Sequence, residues 1–192
     1  MSKIIYLNGP SSAGKTTLAK ALQNAFSEPF LHVGIDKIIS FMPNKINNWD
    51  GGVAPLGFSW QPAKDPSGHP TYEIQAGPFA KRIVRTLKDI ALILASQQYN
   101  LIIDDVAFGT VAVEEWKQVL KNYTVLYVGV VAPLDILELR EQARGDRYIG
   151  SARGQYYKVH ENVAYDIEID THAQSLEENV AKIQQALIQK TR

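Results

Sequence analysis

The chain has 192 residues, with 20 Lys+Arg balanced by 20 Asp+Glu, 45% hydrophobic residues and no cysteine. This composition excludes disorder, and a single domain of this length (1–192) buries roughly 70% of the surface its unfolded chain exposes, enough for a core without staples. Zero net charge offers no field to a polyanion, the missing cysteines exclude disulfides and thiolate chemistry, and no apolar run approaches the length of roughly 18 residues that spans a bilayer. No nucleic-acid partner, membrane partner or signal peptide is therefore expected, and a cytoplasmic setting fits.

The first β-rich run, Ile4–Leu7, leads into Gly9-Pro10-Ser11-Ser12-Ala13-Gly14-Lys15-Thr16, followed by Thr17. This is the P-loop pattern, which this composition would produce by chance in roughly half a percent of such chains. Its chemistry needs a strand before it and a helix after it, and Leu18, Ala21, Leu22 and Ala25 carry helical spacing. The glycines let successive N–H groups aim at phosphate oxygens, Lys15 reaches the β- and γ-phosphates, and the Thr16 hydroxyl ligates Mg²⁺.

A second run, Phe30–Val33, is followed by Gly34 and Asp36 at the strand edge where open parallel sheets place ligands. Asp36 there accepts or orients the proton of an attacking hydroxyl, or caps a helix. His32 lies within the strand and is the weaker candidate. Residues 43–78 hold six of the nine prolines and five of the thirteen glycines, with Trp49, Phe58, Trp60, His69 and Tyr72 among them. The segment reads as a long loop without regular structure, either covering an acceptor pocket or packed as an insertion. A helix starts near Phe79–Thr86.

The third run, Leu101–Ile103, ends in Asp104 and Asp105, which alternation sends to opposite faces. Asp104 is favoured for Mg²⁺ and Asp105 for the acceptor side. Val113, Trp116, Val119 and Leu120 mark another helical face, and Val125–Val131 and Ile167–Ile169 complete five apolar runs. From Asp135, with Glu138 as a possible capping partner, a helix would project Arg140, Arg144 and Arg147 from one face at i, i+4 and i+7. Such a face, in a lid spanning 135–158, suits the spread charge of a phosphoryl group in transit, with Gly145, Gly150 and Gly154 as hinges. Glu138, Glu141 and Asp146 suit a solvated, ion-paired helix instead. The last helix carries a capping box, Ser175 with Glu178.

The rhythm predicts an α/β fold, a parallel sheet of about five strands flanked by helices on both faces, P-loop NTPase or nucleotide-kinase-like, with an arginine-bearing lid. In combination, Leu7-Asn8-Gly9, the P-loop, Gly34-Ile35-Asp36, Ile102–Val106, Tyr127–Val130, Ala143–Arg147, Val159-His160-Glu161 and Tyr165-Asp166 resemble the chloramphenicol phosphotransferase-like family of P-loop kinases. The resemblance implies ATP- and Mg²⁺-dependent phosphorylation of a hydroxyl on a small molecule, possibly an antibiotic such as chloramphenicol. It also implies Asp36 as base and Arg140, Arg144 and Arg147 as lid arginines. Trp49–Pro78 departs from the family pattern. The alternatives are a kinase of a small metabolite and a nucleotide switch without an acceptor; a GTPase is disfavoured because Asn44-Lys45-Ile46-Asn47 lacks the guanine-reading aspartate. The pattern leaves oligomeric state open.

Overall fold

In the computed structural model, which describes residues 2–145 and 148–191, the chain opens with β1 (Lys3–Asn8), α1 (Lys15–Ala25), β2 (Phe30–Gly34) and α2 (Ile35–Ile39). A hairpin of β3 (Phe58–Lys64) and β4 (Pro70–Ala76) follows, then α3 (Pro78–Ser96), β5 (Asn100–Asp105), α4 (Gly109–Val119) and β6 (Thr124–Val131). The chain ends with α5 (Leu134–Arg144), α6 (Ser151–Val159), β7 (Ile167–Asp170) and α7 (Leu176–Lys190). All five predicted runs are strands of one parallel sheet in the order β2-β5-β1-β6-β7.

Alternation along these strands feeds two cores. Ile5, Leu7, Ile102 and Val128 meet Leu18 and Leu22 of α1 and Ile183 and Leu187 of α7 on one face. Ile4, Tyr6, Leu101 and Ile103 meet Leu87 and Ala91 of α3 and Val113 and Trp116 of α4 on the other. Burial on both faces is why the strands read as apolar runs rather than as alternating patterns. The register brings Leu7 of β1 and Gly34 of β2 alongside Asp104 of β5, so the carboxyl ends of three strands finish together. No helix among the described residues is long and apolar enough to cross a membrane.

Residues 43–78 are not an irregular loop. β3 and β4 pair antiparallel from Phe58 with Ala76 to Lys64 with Pro70, and the turn is closed by Asp65 Oδ1 accepting from Ser67 N and His69 N at 2.9 Å each. Pro62 and Pro70 argue against a central strand, but in a two-stranded sheet both strands are edges, where a missing N–H can face outward. Such a hairpin is marginal alone and needs packing. Phe58 buries with Met42 and Ala80, and Arg153 Nη1 of α6 donates to Asp65 Oδ2 at 2.8 Å.

The capping box at α7 is present: Ser175 Oγ accepts from Glu178 N at 3.2 Å, and Glu178 Oε2 accepts from Ser175 N at 2.8 Å. At α5 it is not. Pro133 holds the N-cap position without a side-chain bond, and Glu138 instead accepts from Arg153 Nε at 2.6 Å.

Candidate active site

β1 delivers the P-loop against β6. A Cβ on Gly9 would lie 2.4 Å from the Val130 carbonyl oxygen, so only glycine fits there. Ser12 and Gly14 both adopt left-handed conformations, with φ of 64° and 88°, which for Ser12 is uncommon. The Ser12 hydroxyl is buried without a hydrogen-bond partner. Lys15 is buried too, its ammonium donating to the carbonyls of Gly9 at 2.8 Å and Pro10 at 3.0 Å. An orphaned hydroxyl and an ammonium folded onto the loop's own carbonyls suit a cradle awaiting phosphate oxygens.

The metal side is equally local. Thr16 Oγ1 donates to Asp104 Oδ2 at 2.8 Å, and Lys15 Nζ stands 3.9 Å from Asp104 Oδ1. One hydroxyl and one carboxylate fit an ion that keeps water and phosphate in its other positions, as Mg²⁺ does, and among the described residues no group of three or more His, Asp or Glu is placed to hold a metal ion by itself.

Sequence reasoning undervalued His32. Its Nε2 is 3.4 Å from Asp104 Oδ2, without hydrogen-bond alignment, and its side chain is only 4% exposed. Lys37 Nζ lies 3.5 Å from Nδ1, which favours the tautomer with the proton on Nε2, facing Asp104. The sequence alone gives no signal for this: it is the β2–β5 register, pairing Gly34 with Asp104, that puts His32, two residues earlier, on the same face.

The two neighbouring carboxylates are tuned in opposite directions. Burial raises the pKa of Asp104, but His32, Lys15 and Thr16 outweigh it and hold the carboxyl below its ordinary value. For Asp105 burial dominates and raises it, against the Trp116 and Val106 donors. Asp105 also lines the cavity described below, with its Oδ2 accepting from Trp116 Nε1 at 2.7 Å and its Oδ1 from Val106 N at 2.8 Å. Stability from the Asp104 contacts is present above the ordinary carboxyl pKa of about 4 and is lost as pH falls through the lower folded value. We expect Asp104→Asn to raise the Mg²⁺ concentration needed for half-maximal nucleotide turnover by roughly tenfold or more, read in a Mg²⁺ titration at neutral pH. An unchanged requirement would remove Asp104 from the metal.

One cavity of about 1310 Å³ joins these parts. Lys15, Thr16, Thr17 and Asp104 line one region of it, and Trp49, Phe58, Trp60, Ile74 and Val84 contribute an apolar wall. Asp36, the second residue of α2, lines it as well; the N-cap position there belongs to Gly34, so the capping alternative for Asp36 does not hold. His69 and Tyr72 are not among the lining residues, and His69 sits beside Asp65 at the hairpin turn.

The lid differs from its prediction. α5 stops at Arg144 with Gly145 at φ 66°, so this helix carries Arg140 and Arg144, and Arg147 lies outside the described residues. Arg140 and Arg144 both line the cavity. Arg140 is committed to the loop: Nη1 donates to Thr171 Oγ1 and Nη2 to Thr171 O, both at 2.9 Å, while Thr171 Oγ1 donates to the Ala13 carbonyl at 2.8 Å. Glu141 is not a solvated ion-pair partner. It is 1% exposed and accepts from Gly150 N, Ser151 Oγ and Ala152 N, capping α6 from across the lid loop. Gly154 is no hinge, because it packs inside α6 against β4. Thr171 and Gln155, whose Oε1 accepts from Ser11 N at 2.6 Å, were not anticipated; their partners lie in distant segments and leave no local motif.

A P-loop at the carboxyl ends of a parallel sheet in this strand order, with a helical lid beyond it, is the arrangement of a P-loop kinase. The model of the chloramphenicol phosphotransferase-like protein family matches residues 2–188, and the chain belongs to that family. It is similar to a Mycobacterium tuberculosis protein whose name proposes an O-phosphotransferase, at 31% identity over 176 residues, covering 92% of this chain and 78% of that protein. Among solved structures, the Mycobacterium tuberculosis APS kinase in complex with AMPPNP and APS superposes with a TM-score of 0.66 at 14% identity, covering 97% of this chain and 98% of that one. A gluconokinase from Sinorhizobium meliloti gives 0.58 at 15%, covering 98% and 92%, and the tunicamycin resistance protein of Deinococcus radiodurans gives 0.59 at 18%, covering 96% and 95%. At these identities the superpositions establish the fold. Family and fold together make the chain a kinase-type phosphotransferase.

Proposed function

We propose that the protein transfers the γ-phosphoryl group of ATP to a hydroxyl of a small molecule bound against the aromatic wall. The observation that carries this reading is the continuity of the cavity from Lys15, Thr16 and Asp104 to Asp36 and Trp60. A bare nucleotide switch has no use for an apolar wall beyond its phosphate cradle. The family name favours an antibiotic alcohol, chloramphenicol included, over a sugar or acid, and the apolar wall agrees with that preference.

In this mechanism the loop N–H groups and Lys15 bind the phosphates, and Thr16 with Asp104 holds the metal. Mg²⁺, when bound, neutralises phosphate charge and orients the terminal group. Asp36 takes the proton of the acceptor hydroxyl as the hydroxyl oxygen attacks the γ-phosphorus and the bond from that phosphorus to the β,γ-bridging oxygen breaks, releasing ADP. Arg144 and Arg147 stabilise the charge on the transferring group, whereas Arg140 keeps the P-loop seated through Thr171.

The direct test is acceptor-dependent ADP release with Mg²⁺ and ATP across hydroxylated antibiotics and metabolites. Release stimulated by none of them, with steady hydrolysis of ATP alone, would instead define an NTPase. For the acceptor so found, we expect Trp60→Ala to raise KM by roughly tenfold, with a smaller change in kcat, because the indole supplies apolar contact rather than chemistry. Unaltered KM in a folded variant would place specificity elsewhere along the cavity.

A further inference from the structure

A P-loop works by offering backbone N–H groups to phosphate oxygens, and here one of those groups is already taken. Ser11 N donates to Oε1 of Gln155 at 2.6 Å, although the two residues are 144 positions apart. Gln155 is 8% exposed and lines the cavity that holds Lys15 and Asp104. Its helix is firmly based. Glu141 caps the N-terminus of α6 through Gly150 N and Ala152 N, each at 2.7 Å. On the hairpin side, a Cβ on Gly154 would come within 2.5 Å of the Tyr72 carbonyl oxygen, so α6 lies directly against the β4 backbone. Arg153 and Lys158 add ion pairs to Asp65 and Glu73.

A carboxamide oxygen and a phosphate oxygen cannot share the Ser11 N–H without lone-pair repulsion. Glutamine differs from glutamate in that its other terminal atom is a donor, so a turn of the amide replaces repulsion with a hydrogen bond. We propose that Gln155 reads the terminal phosphate of the nucleotide. In one arrangement, the one described above, its Oε1 holds the Ser11 N–H. When a nucleoside triphosphate enters, the amide turns, Ser11 N–H passes to a terminal phosphate oxygen, and Gln155 Nε2 donates to that phosphate. Because α6 also packs on β4, the position Gln155 takes is transmitted to the hairpin that bears Trp60, so the acceptor wall responds to whether a third phosphate is present. This inference rests on the reading of the cavity as a nucleoside triphosphate site.

The experiment measures the affinities of ADP and of the β,γ-imido analogue of ATP, each with Mg²⁺, by titration calorimetry on wild type, Gln155→Ala and the isosteric Gln155→Glu, with thermal unfolding as the check on folding. A hydrogen bond from Gln155 to a charged phosphate predicts that wild type prefers the triphosphate analogue. The preference should fall by roughly tenfold in Gln155→Ala and further in Gln155→Glu, whose added charge faces the phosphate. A merely structural role would weaken both nucleotides together and leave their ratio alone. A ratio within about twofold of wild type in both folded variants, or a wild type without any preference, overturns the role of Gln155 while leaving nucleotide binding intact. Wild-type protein that binds neither nucleotide overturns the phosphotransferase reading and this inference with it.

Discussion

Replacing Lys15 by alanine should lower acceptor phosphorylation by roughly 10³-fold or more, because in the proposed reaction the ammonium turns from the loop carbonyls to the phosphates between which the bond breaks. The structure adds a control. Lys15 is buried, its ammonium satisfies the carbonyls of Gly9 and Pro10, and it helps hold the Asp104 carboxyl low. Lys15→Ala therefore removes packing and a charge partner along with the cation proposed to meet the phosphates, and Lys15→Met, which keeps the stem, separates these effects. Both variants should lose transfer, while Lys15→Met should retain more of the wild-type melting temperature. Transfer at a near-normal rate in a folded Lys15→Met protein would exclude the P-loop lysine from the mechanism.

Asp36→Asn should cut the transfer rate by roughly 10²- to 10⁴-fold while leaving nucleotide affinity within a few-fold, since the amide keeps the shape and one acceptor oxygen but cannot take a proton. The position suits this separation. Asp36 is exposed to the cavity on the first turn of α2, in a helix of five residues whose N-cap is Gly34, so the substitution disturbs little packing. The informative readout is single-turnover transfer to the acceptor beside acceptor-free ATP hydrolysis. If Asp36 moves the acceptor's proton, the first collapses and the second persists. Equal loss of both would instead assign Asp36 to nucleotide or metal binding, and no loss in either would remove it from the site.

Much of this protein could be read without its structure because the relevant physics is local. Gly9 to Thr16 form a cradle through backbone turns within eight residues, Ser175 and Glu178 cap α7 within one turn, and strands buried on both faces announce themselves as apolar runs. The position of Asp104 at the carboxyl edge of the sheet was legible for the same reason, as the first carboxylate past such a run.

What only the tertiary structure decided involves partners far apart in the chain. The hairpin of residues 58–76 forms despite Pro62 and Pro70 because it joins no larger sheet and leans on α6. His32 matters through the β2–β5 register, Arg140 through Thr171, and Gln155 through Ser11, pairings that span 72, 31 and 144 positions. Glu141 shows the same limit most plainly: on a helical pattern it belongs to a solvated charged face, yet it is buried because the chain returns at Gly150 to place three donors on its carboxylate. Periodicity states which residues share a face. Whether that face meets water or a distant backbone N–H is set by packing, since a buried charge is stable only where the fold brings donors to it.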